Sequence, residues 1–189
     1  MKRVAILASY NGSGFKALYR AAKSLELDLD IVLVISNNST ATVLQSACEF
    51  GIKSAVVNSK TDLDPDKKIE QLLRECECDY LFLSGYMKKL SKNITTNFRV
   101  VNCHPSLLPK YGGEGMYGRF VHEAVIKNRE KRSGVTIHEV DENYDEGKIV
   151  LQKELLLSEG ESAESLETKI KELEQTTIIE AFKVILALS

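Results

Sequence analysis

The sequence predicts an α/β fold: a mostly parallel sheet covered by helices on both faces, with antiparallel strands near the C-terminal part. Three observations lead there. Short β-branched apolar runs alternate with stretches of helical periodicity through the first hundred residues. The runs are apolar throughout, as strands buried on both faces are. After Pro109, two longer runs alternate partially and are joined only by a loop, which makes them antiparallel neighbours.

Each element has a local reason. Arg3–Ala8 is the first strand, bounded by Ser9-Tyr10-Asn11-Gly12-Ser13-Gly14, and Phe15, Leu18, Tyr19 and Ala22 then recur at helical spacing. Asp30–Ser36 is a second buried strand. Thr42–Phe50 is a second helix, with Gly51 where a C-terminal cap belongs. Ser54–Asn58 is a short third strand. Asp64 and Pro65 open a third helix, because the carboxylate can cap free amides and proline has no N–H to waste in the first turn. Ile69, Leu72 and Leu73 are its inner face, and Tyr80–Ser84 and Arg99–Cys103 are the fourth and fifth strands. Phe120–Lys127 reads as a helix, and Val135–Val140 and Ile149–Leu157 as the antiparallel pair. Ser162–Leu188 is one long helix with Leu166, Ile170, Leu173, Thr177, Ile178, Ala181, Phe182 and Ile185 along one stripe. With no repeat and no linker, residues 1–189 are expected to form a single domain.

Composition narrows the function classes. A chain of 189 residues, 43% hydrophobic and 28% charged, is neither disordered nor fibrous. Its net charge of -2 lacks the basic surplus of a nucleic-acid binder. No apolar run approaches the roughly 20 residues of a membrane span. Met1-Lys2-Arg3 leads into Val4–Ala8, too short for a signal-peptide core. A cytoplasmic protein with neither membrane nor nucleic-acid partners is expected. Cys48, Cys76, Cys78 and Cys103 form no CxxC pair and read as reduced, buried or half-buried thiols. The three histidines lie far apart in sequence, and no metal site is expected.

Three segments carry chemistry. The glycine-rich turn Asn11–Gly14 exposes amides at a helix start, where the helix dipole favours an anion. It matches neither the dinucleotide fingerprint nor a Walker loop, so one terminal phosphate is its natural ligand, and an ordinary tight turn is the alternative. Asn102 and His104, two apart on an extended segment at the carboxyl edge of the sheet, share a face. The amide can hold a developing oxyanion while the imidazole moves a proton. Cys103 between them points the other way, as a buried core thiol. Pro105 and Pro109 stiffen the segment beyond His104. In the acidic loop Asp141–Gly147 most residues read as solvated, but one carboxylate beside His104 would raise its pKa and orient it. Asp145, followed by Gly147 for a sharp turn, is the choice. His138 reads equally as support for the site or as a packed strand histidine, and His122 as a surface or structural residue.

The run Asn102-x-His104-Pro105-Ser106-Leu107-Leu108-Pro109-Lys110, with Asn11-Gly12-Ser13, Ser36-Asn37, Gly85–Leu90 and Asp145-x-Gly147, resembles the glycinamide ribonucleotide (phosphoribosylglycinamide) branch of the folate-dependent formyltransferases over nearly the whole chain. The resemblance implies a Rossmann-like three-layer α/β/α formyltransferase fold. Its phosphate- or nucleotide-binding half would cover about 1–100, and its catalytic and folate-binding half about 101–189. It implies formyl transfer from 10-formyltetrahydrofolate, without metal, to the amine of 5-phosphoribosylglycinamide in de novo purine (IMP) synthesis. The catalytic set would be Asn102, His104 and Asp145. The phosphoribosylglycinamide contacts would be Asn11, Gly12, Ser13, Gly14 and Glu174. Folate would meet Met87, Lys88, Lys89, Leu90, Asn102, Val140, Asp141 and Tyr144. Partners would be small-molecule substrates only, and the enzyme a monomer or homodimer. Gly14, Lys148 and Gln175 depart from the commoner family residues, and the glycine-rich Gly112–Gly118 reads as a mobile flap. A formyltransferase for another amine, such as an amino sugar, and a non-catalytic phosphate-binding module are the alternatives.

Overall fold

A computed structural model of the chain describes residues 1–188, so Ser189, the end of the expected domain, lies outside the described residues. The chain divides into two compact units, Met1–Val101 and Asn102–Ser189.

The first unit runs β1 (Lys2–Leu7), α1 (Ser13–Lys23), β2 (Leu29–Ser36), α2 (Thr42–Glu49), β3 (Ser54–Val56), α3 (Pro65–Glu75), β4 (Tyr80–Leu83) and α4 (Lys92–Asn97); β5 (Arg99–His104) begins in it and ends in the second unit. β1 pairs in parallel with both β2 and β4, and β2 with β3. Side chains from Val4 to Ala8 and from Tyr80 to Leu83 are buried on both faces, which is why these strands read as unbroken apolar runs. Asp64 accepts from the Lys67 N–H at 3.1 Å, the cap expected at the start of α3. β3 stops at Val56, two residues short of the expected end. Asn58 instead organises a turn, its Oδ1 accepting from the N–H groups of Lys60 (2.8 Å) and Thr61 (3.2 Å). α4 has no counterpart among the elements expected from sequence: its six residues bury only Ile94, too little for a periodic signal.

The second unit adds α5 (Arg119–Lys127), β6 (Arg132–Glu139), β7 (Ile149–Leu156) and α6 (Ala163–Ala187). Within the seven-stranded sheet the order is β3-β2-β1-β4-β5 and then β5-β6-β7. β6 and β7 are antiparallel, as their patterns predict, and the sheet is otherwise mostly parallel. One register shift interrupts the pair. Ile137 faces Leu151 and His138 faces Ile149, so Val150 is an extra residue on β7. Gly134 lies so close to β7 that a Cβ there would sit 2.1 Å from the Lys153 carbonyl oxygen. α6 starts on a Ser162 cap, whose Oγ accepts from the Ser165 N–H at 3.1 Å. It buries the expected stripe except Leu173, which is half-buried.

Candidate active site

The second unit brings Asn102, His104, His138 and Asp145 together. β5 supplies the first two, β6 the third and the loop before β7 the last. The segment after β5 is held by side chains from the hairpin. Thr136 Oγ1 donates to the Ser106 carbonyl at 2.7 Å and accepts from the Leu108 N–H at 3.1 Å, and Gln152 Nε2 donates to the Leu108 carbonyl at 3.1 Å. Neither Thr136 nor Gln152 stands out in the sequence, because a hydroxyl and an amide on strands carry no pattern of their own.

His104 is buried, and both ring nitrogens are engaged. Nε2 lies 2.7 Å from the Tyr111 carbonyl, and Nδ1 lies 3.5 Å from Asp145 Oδ2. A carbonyl only accepts, so Nε2 carries a proton and the lone pair of the neutral ring is on Nδ1. Asp145 pulls the pKa of this ring upward, as expected of a neighbouring carboxylate, but it does not decide the outcome. Burial disfavours the imidazolium and outweighs the pull of Asp145 and of the Tyr111 carbonyl, while His138 adds to the lowering, so the pKa falls below its ordinary value.

Asp145 sits in the left-handed region at φ 57°, and its side chain is 11% exposed. Burial raises its carboxyl. The hydrogen bond with His138, the His104 ring and the Gly113 N–H at 2.9 Å outweigh that and hold it below the usual carboxylate value. Gly147 marks a close approach of two backbones: a Cβ there would lie 1.8 Å from the Glu139 carbonyl oxygen.

His138, left open by the sequence, is 1% exposed and belongs to the cluster. Its Nδ1 donates to the Glu139 carbonyl at 2.8 Å, and its Nε2 lies 3.2 Å from Asn102 Nδ2. Nε2 also lies 3.4 Å from Asp145 Oδ1. The amide of Asn102 is thereby oriented, with its second N–H left to serve an oxyanion. His122 is not a surface residue: it is 2% exposed, and its Nδ1 has no partner among the described residues.

Cys103 faces away from Asn102 and His104, as alternation requires, but it is not simply a core thiol. It is half-buried and hydrogen-bonded to Glu174 on α6. Burial pushes the thiol well above its ordinary value and the Glu174 carboxyl up to about 7. Cys48 is exposed, against the expectation of a buried or half-buried thiol. The glycine-rich stretch after Lys110 is anchored at its start, where Tyr111 and Gly113 bond to His104 and Asp145. Val140 is half-buried, while Asp141 and Tyr144 are exposed in the loop that carries Asp145.

The remaining candidates lie in the first unit. Gly12 adopts φ 59° as the N-cap of α1, and a Cβ there would meet Val43 Cγ2 at 2.5 Å. Ser13 and Gly14 form the first turn behind it, and the next amide, of Phe15, already donates to Ser84 Oγ at 3.3 Å. Asn11 is exposed, its Oδ1 accepting from Thr42 Oγ1 at 2.8 Å. Ser9 ties this turn to the segment after β4, its Oγ accepting from the Met87 N–H at 2.8 Å. Met87, Lys88 and Lys89 are exposed, whereas Leu90 is buried in the unit's core. No group of ligating side chains that could hold a metal occurs among the described residues. No described helix is long and apolar enough to cross a membrane.

The family model described as formyl transferase matches residues 2–182. A phosphoribosylglycinamide formyltransferase of Haemophilus influenzae is 35% identical over 92% of this chain and 82% of its own length. A chloroplastic phosphoribosylglycinamide formyltransferase of Vigna unguiculata is 33% identical over 97% of this chain, which spans only 61% of that relative. The crystal structure of phosphoribosylglycinamide formyltransferase from Bacillus halodurans superposes with a TM-score of 0.90 at 31% identity, covering 98% of this chain and 95% of that one.

Proposed function

Because the chain belongs to the formyl transferase family, we propose that it transfers the formyl group of 10-formyltetrahydrofolate to the amine of 5-phosphoribosylglycinamide, a step of de novo purine (IMP) synthesis. The observation that carries the reading is the buried cluster of Asn102, His104, His138 and Asp145. It offers an oriented amide donor, a neutral imidazole and an ionised carboxylate in one place. That is the equipment acyl transfer to an amine requires.

The amine attacks the formyl carbon, a C–N bond forms and the carbonyl electrons move to oxygen. Asn102 donates to that oxyanion. The neutral His104 ring takes the proton shed by the amine at Nδ1, beside the Asp145 carboxylate that stabilises the imidazolium. Collapse breaks the bond to the folate nitrogen, which leaves with that proton. Attack is direct: Cys103 is held as a thiol by burial and faces away, so no acyl-enzyme forms.

In the first unit, the amides of Ser13 and Gly14 at the start of α1, with Asn11 and Gly12, take the acceptor's phosphate. Glu174 contacts the rest of that acceptor. Met87–Leu90 and, in the second unit, Asn102, Val140, Asp141 and Tyr144 contact folate. The chain acts as a single formyltransferase domain, its phosphate-binding half about 1–100 and its catalytic, folate-binding half about 101–189. It works in the cytoplasm on small molecules, as a monomer or homodimer, without metal or nucleic acid.

The test is the absorbance change of released folate when protein, 10-formyl folate and acceptor are mixed. Turnover that needs both substrates, and falls by about 100-fold or more in His104→Ala, is expected. Release without the acceptor, or full activity of the variant, would overturn the assignment.

A further inference from the structure

We propose that Tyr111, braced by Asn128 and Glu130, is a positioning residue that fixes the tautomer of His104. This rests on the reading of His104 as the proton-transferring imidazole. The backbone carbonyl of Tyr111 is the acceptor for His104 Nε2 at 2.7 Å. Tyr111 presents it from the left-handed region, at φ 57°, which a tyrosine adopts only where its surroundings hold it there. Its hydroxyl shows what holds it. The O–H donates to Glu130 Oε1 at 3.0 Å and accepts from Asn128 Nδ2 at 3.0 Å. The same Glu130 oxygen takes the Lys110 ammonium at 2.9 Å. Asn128 and Glu130 stand just past the end of α5, so the phenol is pinned to a regular element at its far end while its carbonyl faces the histidine.

The next two residues extend the device. Gly112 packs so tightly that a Cβ would lie 2.5 Å from Leu108 Cδ2 and 3.1 Å from Asp145 Cβ. The Gly113 N–H then donates to Asp145 Oδ2 at 2.9 Å. One short segment therefore offers an acceptor to the imidazole and a donor to its carboxylate partner. The chemical consequence is a choice of tautomer. With Nε2 committed to a carbonyl, only Nδ1 exchanges a proton, and it does so on the side facing Asp145. The opposite tautomer, with its proton on Nδ1, would set lone pair against lone pair at Tyr111. The other ionisable groups acting on His104 are His138 and, more remotely, His122, and neither supplies an acceptor to Nε2.

The experiment is nitrogen-15 NMR of histidine-labelled full-length protein above the ordinary imidazole pKa of about 6.5, with steady-state kinetics on the same samples. The wild type is expected to hold His104 as the Nε2–H tautomer. Tyr111→Phe, and separately Glu130→Ala, are expected to mix the tautomers and lower kcat by about 10-fold, with KM for both substrates unchanged; misplacement by about 1 Å from outside the chemistry is worth up to about 100-fold. Glu130→Gln keeps an acceptor for the phenol and is expected to retain the tautomer. If both disruptive variants keep a pure Nε2–H ring and full kcat, or merely lose thermal stability, the inference is overturned. His104→Ala separates the two readings. If it remains active, the catalytic assignment fails; if it is inactive while Tyr111→Phe and Glu130→Ala are normal, only the positioning role fails.

Discussion

The turn at Asn11–Gly14 and the cluster around His104 would both hold part of a substrate, yet they are built from opposite materials. The turn is made of backbone. What it offers is the amides at the start of α1, and its demand on the sequence is a residue that accepts φ 59° with Val43 pressed against it. The cluster is made of side chains, buried or half-buried and set against one another, so the protonation of His104 and of Asp145 depends on their neighbours. A backbone site tolerates exchange of most side chains and fails when the chain cannot bend. A side-chain site keeps its shape under the same exchange and fails chemically.

The largest expected effect breaks the cluster and spares the turn. Asp145→Asn keeps the shape of the side chain and removes the charge that stabilises a protonated His104. Turnover is expected to fall by about 10²–10⁴, while calorimetric affinity for the phosphorylated acceptor stays within about threefold, below 1 kcal/mol. The converse is Gly12→Ala. It forces a Cβ to 2.5 Å from Val43 Cγ2 and occupies a left-handed conformation, so a loss of about 1–3 kcal/mol in urea unfolding is expected, with weaker acceptor binding. Adding Val43→Ala should relieve the clash and leave the conformational cost. A double variant no better than the sum of its parts would show that packing is not the constraint.

Acidity gives a third contrast. His104 is held below its ordinary pKa, so the unfolded chain binds its proton more readily. Its contribution to stability is therefore complete above about pH 6.5 and is lost as pH falls below that value. His122, lowered by the same burial, acts in the same window. Asp145, held below its ordinary value, contributes above about pH 4 and loses that contribution on further acidification. Thermal midpoints measured across pH should show a shallower slope near pH 6 in His104→Gln, and an unchanged slope would refute the direction assigned to this ring. The smallest effect lies away from both sites. Ser162→Ala removes the cap of α6 and should cost about 1 kcal/mol with kcat untouched.

The same contrast explains what is legible in the sequence. Strands such as Val4–Ala8 announce themselves because burial on both faces leaves them uniformly apolar. Asn102 and His104 are visible through a two-residue spacing, and Asp145 through the glycine two residues on. His138 is undecidable there, since a strand histidine reads alike whether it packs or serves a cluster. The charge state of His104 is misread because sequence names a partner such as Asp145 and says nothing of desolvation, which here outweighs it. The glycine-rich flap reads as mobile for a related reason: glycines register as freedom, while the bonds from Tyr111 and Gly113 that anchor its start involve backbone atoms every residue shares. α4 leaves no trace because one buried isoleucine makes no period.

The extra residue at Val150 has an implication for transplanting this hairpin. Side chains on paired strands alternate with a period of two, so a single unpaired residue changes which side chains share a face from that point toward the loop. His138 is where the change begins. A graft that copied β6, the acidic loop and β7 onto an ideal hairpin scaffold, trimming Val150 to even the strand lengths, would retain almost every residue and reverse the parity of the loop end. The odd residue is thus the part of this hairpin that a designer would be most inclined to tidy away, and the one whose removal would turn Ile149 and the loop joined to it away from His138.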